Sequence, residues 1–295
     1  MKAGTITTKQ GITIAYETLG DPTHETIVFI CGLGSQLLYW SDAWCQLFVD
    51  QGYHVVRFDN RDVGLSSKTP GEPVDTTAIM AGEGGKAPYT LSDMAADTMG
   101  LLDSLGIQSA HIVGTSLGGM IAQTVAIEYP ERVRSLTSIM SAPRPLATNQ
   151  EERDEEAVEK SLTMDMSDPE TYVDIQLEGW RVTSGPLFDA ESMRDLIQRS
   201  FERCYHPAGW AFQMMAVAAS GDRTEQLGAL SMPTLVIHGK VDPLVPPSAG
   251  EATAAAIPGA KLLLVDDMGH YLPGECWEKI VQAIIDLTRQ TKQVL

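Results

Sequence analysis

The spacing of hydrophobic and polar residues changes several times along the chain, and each change predicts an element. From Gly11 to Thr18 the residues alternate, with Ile12, Ile14 and Tyr16 on one side, which predicts a half-buried strand. Thr26–Ile30 is instead a continuous apolar run, the pattern of a strand covered on both faces, and His54–Phe58 reads as the next buried strand. A helix is expected between them over about 41–50, closed by Gly52. Thr90-x-x-Asp93 then forms a capping box, and Leu91, Met94, Ala95, Thr98, Leu101, Leu102 and Leu105 share one helical face up to Gly106. A short apolar run, His111–Val113, leads into a helical pattern whose inward positions are Met120, Ile121, Val125 and Tyr129. Further strands are expected at Arg132–Met140, Thr234–His238 and Lys261–Val265, with helices at about 247–256 and 275–290.

Two intervals break this rhythm. Residues 66–90 are rich in glycine and proline without periodicity, and a connection that long is usually functional or mobile. Residues 144–228 are helical in pattern and gather aromatic and methionine side chains, whereas EERDEE near their start reads as a solvated helix face. Strands alternating with helices predict an α/β protein, a mostly parallel, doubly wound sheet flanked by helices. The expected division is a core of residues 1–143 and 229–295 with a helical cap, 144–228, inserted in it.

Composition narrows the possible partners. The chain has 295 residues, is 43% hydrophobic and carries a net charge of −18, which argues against nucleic acid or an anionic membrane as partner. No apolar run approaches the ~18 residues that a spanning helix needs. The opening MKAGTITTKQ lacks the apolar region of a secretory signal, so a cytoplasmic protein is expected. Cys31, Cys45, Cys204 and Cys276 form no C-x-x-C pair and are expected as reduced thiols, with no metal site and no cofactor. Whether the chain is a monomer or a homodimer stays open.

The candidate chemistry lies in Gly114-Thr115-Ser116-Leu117-Gly118, a G-x-S-x-G between a predicted strand and a predicted helix. On so tight a turn the serine backbone is strained, and side chains at 114 and 118 would collide with the strand and helix beside them. A serine hydroxyl attacks poorly until a base takes its proton and a third group holds that base. Of six histidines, His270 in Asp267-Met268-Gly269-His270 follows the last strand and can meet Ser116 at the same sheet edge; His238 stays a competitor. Asp242 also follows a strand, and the order Ser116, Asp242, His270 is nucleophile, acid, base; Asp266 and Asp267 are read as loop caps. The expected oxyanion donors are the backbone N–H groups of Leu117 and Leu33. Arg61 with Asp59 is expected to brace its own loop, and Cys31 to be a small packed residue within reach of thiol reagents.

Five spaced blocks, CGLGS, DNRDVGLS, GTSLGG, VIHGKVDPLVP and DMGH, together resemble the α/β-hydrolase superfamily, with closest likeness to the aclacinomycin methylesterase-like esterases. The resemblance implies a serine esterase acting on a small-molecule ester through an acyl-enzyme and without cofactor, and a cap of aromatic and methionine residues over the site would favour esters with an apolar portion. Ser116 departs from the superfamily's dehalogenases and epoxide hydrolases, which carry aspartate at that position. Cys31-Gly32 stands where relatives often have His-Gly, and Asp62 follows Arg61 where many have glycine. Hydrolysis of another bond on the same residues (peptide, lactone or carbon–carbon), or a non-catalytic ligand receptor, stays open on sequence grounds.

Overall fold

A computed structural model of the chain describes residues 1–71, 85–145 and 168–290. The EERDEE segment and much of the 66–90 interval fall outside the described residues. Eight strands form one sheet: β1 (Lys2–Thr7), β2 (Thr13–Leu19), β3 (Thr26–Ile30), β4 (His54–Phe58), β5 (Ala110–Thr115), β6 (Val133–Ile139), β7 (Thr234–Gly239) and β8 (Lys261–Val265), in the order β1-β2-β4-β3-β5-β6-β7-β8. β1 and β2 pair antiparallel with each other, as do β2 and β4, and every other neighbouring pair is parallel. The expected α/β architecture is therefore present. β1 was not anticipated, because its KAGTIT sequence has no apolar run; it is largely exposed and paired in a ladder to β2.

Burial follows the patterning. Every residue of β3, β4 and β5 is buried, as double-sided cover requires. One face is packed by α1 (Asp42–Val49) and α9 (Trp277–Gln290) around Phe29, Trp40, Trp44, Phe48, Ile280 and Ile284, with Phe29 and Trp40 ring centroids 4.7 Å apart. The other face carries α2 (Leu91–Ser104), α3 (Leu117–Glu128) and α8 (Pro247–Ala256). The Thr90–Asp93 capping box opens α2, and Ser41 caps α1 by accepting the Trp44 N–H at 3.1 Å.

Between β6 and β7 the described chain is helical: α4 (Pro169–Ser184), α5 (Ala190–Arg203), α6 (Ala208–Ser220) and the short α7 (Thr224–Leu227). Asp168 and Asp189 cap α4 and α5. These two helices enclose a small core of Val173, Leu177, Met193 and Ile197. α6 behaves differently, since its Ala211, Phe212, Met215 and Ala216 join the large core.

The topology also decides where chemistry can be placed. After β3 the chain moves to β4 on one side and returns to β5 on the other, so the connections leaving β3 and β5 part there. Crevices open at such reversals, at the carboxyl ends of the strands. The segments after β7 and β8 reach the same edge because those strands run parallel to β5.

Candidate active site

Ser116 stands between β5 and α3 with φ 52° and ψ −120°, a backbone state that side chains rarely adopt. The flanking glycines are sterically required: a Cβ on Gly114 would lie 2.0 Å from the Gly118 carbonyl oxygen, and one on Gly118 2.2 Å from that of Ile30. The strained turn is held at both backbone ends. Ser116 N–H donates to Ile139 O at 2.9 Å, and the Ser141 hydroxyl, just past β6, donates to Ser116 O at 2.7 Å.

The structure brings Ser116, His270 and Asp242 together. His270 Nε2 lies 3.0 Å from Ser116 Oγ, and its Nδ1 lies 2.7 Å from Asp242 Oδ2. With Nδ1–H donating to the carboxylate, Nε2 carries a lone pair able to accept the Ser116 hydroxyl proton. Asp242 is fixed in turn, since its Oδ1 accepts the N–H groups of Leu244 and Val245 at 3.0 and 2.9 Å. Burial pushes the Asp242 carboxyl up, but hydrogen bonds from His238 and His270 outweigh it and hold the pKa below the ordinary carboxylate value. His238 is buried, donates from Nε2 to Val245 O at 2.8 Å and sits 3.5 Å from Asp242 Oδ2, so it braces the carboxylate and makes no hydrogen bond to Ser116. Asp266 pairs with Lys240 at 2.6 Å, away from the imidazole.

Leu33 and Leu117 bring two backbone donors to the same edge. Among the described residues neither N–H has a hydrogen-bond acceptor, and Leu117 opens α3, where helix N–H groups and dipole favour negative charge. The loop after β3 lies against the serine: a Cβ at Gly32 would be 3.4 Å from Ser116 Cβ. Cys31 is fully buried, its thiol donates to Gln36 O at 3.2 Å and burial pushes its pKa well up, so reagents do not reach it as the sequence reading expected.

Two expectations for the neighbouring loop change. Arg61 does not pair with Asp59; it binds Asp97 at 2.6 Å and lies 4.7 Å from the Tyr89 ring. Asp59 instead accepts the Leu37 and Leu65 N–H groups and pairs with Arg203 of α5 at 2.7 Å. Asp62 has φ 71°, the conformation that glycine favours, and accepts the Thr69 N–H and hydroxyl on its carboxylate.

The inserted helices hydrogen-bond the loops after β3, β4 and β8. Thr183 and Ser184, at the end of α4, accept the N–H groups of His270 and Gly269 at 2.7 and 3.0 Å. Gln36 receives Arg203 at 2.7 Å and donates to Ser200 O and Cys204 O. Gln213 of α6 links the loops after β3 and β4. No motif marks these residues. The available signal was Gln213 itself, one amide inside the apolar run AGWAFQMMAVAAS.

Several known proteins are similar to this chain. The chain is 28% identical to rhodomycin D methylesterase DnrP of Streptomyces peucetius, over 96% of this chain and 97% of that protein. Among solved structures it is similar to a thermophilic esterase from Thermogutta terrifontis, with 26% identity, a TM-score of 0.73 and 99% of both chains covered. It also superposes on an enol-lactonase from Burkholderia xenovorans LB400 with a TM-score of 0.72, covering 96% of this chain and 99% of that one; at 22% identity this likeness concerns the fold alone. The match to the alpha/beta hydrolase fold family runs over residues 25–275, from the first buried strand to the turn that follows His270, and the chain belongs to that family.

Proposed function

We propose that this chain hydrolyses carboxylic esters of small molecules through an acyl-enzyme on Ser116. The observation that carries the reading is the continuous hydrogen-bond path from Ser116 Oγ through His270 to Asp242. His270 takes the hydroxyl proton as Ser116 attacks the ester carbonyl, and the ionised Asp242 stabilises the imidazolium that forms. Charge builds on the carbonyl oxygen, where the N–H groups of Leu33 and Leu117 receive it, a contribution of roughly 10² to 10³ in rate per donor. Collapse of this intermediate breaks the ester C–O bond, and His270 returns its proton to the leaving alcohol. Water, deprotonated by the same imidazole, then releases the acid and restores Ser116. The steps need no cofactor.

The methylesterase and esterase relatives support ester cleavage. Residues 144–228 act, in this reading, as a cap over the site and favour substrates with an apolar portion. The partner is thus a small molecule rather than nucleic acid or membrane; among the described residues no helix is long and apolar enough to cross a bilayer.

A panel of aryl and alkyl esters assayed beside peptide arylamides tests the bond class. Ser116→Ala and His270→Ala are expected to lower kcat by up to roughly 10⁶, since such groups act as a unit. Asp242→Asn is expected to cost about 10⁴, because the amide favours the wrong imidazole tautomer. Fluorophosphonate should label Ser116. Turnover of esters that survives Ser116→Ala, or a label traced to another residue, would remove Ser116 from the mechanism.

A further inference from the structure

Gln213 is fully buried in the middle of α6, among residues that pack into the large core. A leucine or methionine would fill that place without polar atoms to satisfy. Burying an amide costs stability unless both its ends are bonded, and here both are. Oε1 accepts the Gly34 N–H at 2.9 Å, and Nε2 donates to Arg61 O at 2.9 Å. The side chain thereby spans the two loops that leave β3 and β4.

The bond to Gly34 falls at a decisive point. Ser35 N–H donates to Gly32 O at 3.2 Å, so residues 32–35 form a four-residue turn with Leu33 and Gly34 at its centre. Gly34 has φ 67°, as the third position of a type II turn requires. The central peptide of such a turn carries the Gly34 N–H, and rotating that peptide converts type II into type I. An acceptor fixed on a core helix selects one orientation. The adjoining peptide carries the Leu33 N–H, which has no acceptor among the described residues and adjoins Ser116 through Gly32.

We infer that Gln213 is a positioning residue that holds the oxyanion loop, so that the inserted helix α6 takes part in setting catalytic geometry. This rests on the ester-hydrolase reading above. A donor aimed before the reaction lowers the barrier, whereas one that must reorient adds to it. The effect belongs to the transition state, where the oxyanion exists, and not to substrate binding.

The test compares the wild type with Gln213→Leu, Gln213→Met and Gln213→Glu. Active sites are counted by fluorophosphonate labelling taken to completion, so that kcat refers only to folded, competent enzyme. For Gln213→Leu and Gln213→Met, kcat per labelled site is expected to fall roughly 10- to 100-fold with KM within about twofold of wild type. Affinity for an aryl trifluoromethyl ketone, which adds to the serine as an oxyanion, should weaken by the same factor. Gln213→Glu keeps an acceptor for Gly34 N–H and, as the neutral acid that full burial favours, an O–H donor for Arg61 O, and should lose less than the leucine variant. If Gln213→Leu does not accumulate as folded protein, Gln213→Met, closer in shape, carries the comparison. Unchanged kcat per labelled site in the methionine variant, a change in KM alone, or a glutamate variant worse than the leucine one would overturn the inference. A wild type that cleaves no ester, or labels elsewhere than Ser116, would instead overturn the ester-hydrolase reading.

Discussion

Strained backbone at Ser116 costs on the order of 1–3 kcal/mol, and two hydrogen bonds, from its N–H to Ile139 and from Ser141 to its carbonyl, offset it locally. Asp242 is held in a comparable way, with its pKa lowered because hydrogen bonds from His238 and His270 outweigh burial. A carboxyl whose folded pKa is depressed stabilises the fold above its unfolded value, and that stability is lost as pH falls through the folded value. The stability gap between wild type and Asp242→Asn in urea is therefore expected to be widest above the carboxylate range and to shrink below about pH 4. A gap unchanged down to pH 3 would mean that the carboxylate charge contributes nothing. Thiols give a second test at this scale. Burial pushes Cys31 well up and Cys45 up to about 12, whereas Cys204 is only partly buried. Brief alkylation near pH 8 should modify Cys204 and spare Cys31 and Cys45 until the protein is unfolded; peptide mapping that finds Cys31 labelled in the native protein would contradict its burial.

At the scale of elements, the insertion divides by what it packs against. α4 and α5 share a small core of their own, while Phe212 of α6 is buried in the main one. Phe212→Ala is expected to lose about 3 kcal/mol of stability, as large-to-small core changes do, with the ratio of short to bulky esters unaltered. Trp210 and Trp180 instead pack against the loops that follow β3 and β8. Trp210 is partly exposed and lies 3.3 Å from where a Gly34 Cβ would be; Trp180 packs on Tyr39 and on Tyr271, the residue after His270. Replacing either by alanine should change kcat/KM unequally between short and bulky esters, by roughly 1–3 kcal/mol for a lost pocket contact, with little change in melting temperature. Equal loss for all esters would make these residues scaffold. Sequence patterning marked this segment as helical and aromatic but gave no means of separating the three kinds of residue, because packing partners come from distant parts of the chain.

For the molecule as a whole, a net charge of −18 sets a self-repulsion that added salt screens. The melting temperature is expected to rise between about 20 and 300 mM sodium chloride, over which the Debye length falls to below 10 Å; a fall would mean that ion pairs such as Arg61–Asp97 and Arg203–Asp59 dominate. Much of the architecture was legible along the chain because it follows from near neighbours. Period reveals β3, β5 and α2, glycine sterics reveal the turn at Ser116, and parallel strands oblige the connections after β5, β7 and β8 to reach one edge. The largely exposed β1 was not legible, since its place depends on its ladder to β2 and on Ile6 packing against the main core. Beyond the meeting of Ser116, Asp242 and His270, contacts between those connections were open in the sequence. Ser116 and His270 are separated by 154 positions, and Gly34 and Gln213 by 179. His270 stands ahead of His238 on sequence grounds, from its place after the last strand, but why Arg61 bonds Asp97 rather than Asp59, and how Gln213 of α6 comes to bond the loop after β3, depend on where rigid elements bring such distant groups. Local patterning chooses the elements, because its causes act over a few residues; long-range packing chooses the partners, because each buried polar group must be satisfied by whatever the fold sets beside it.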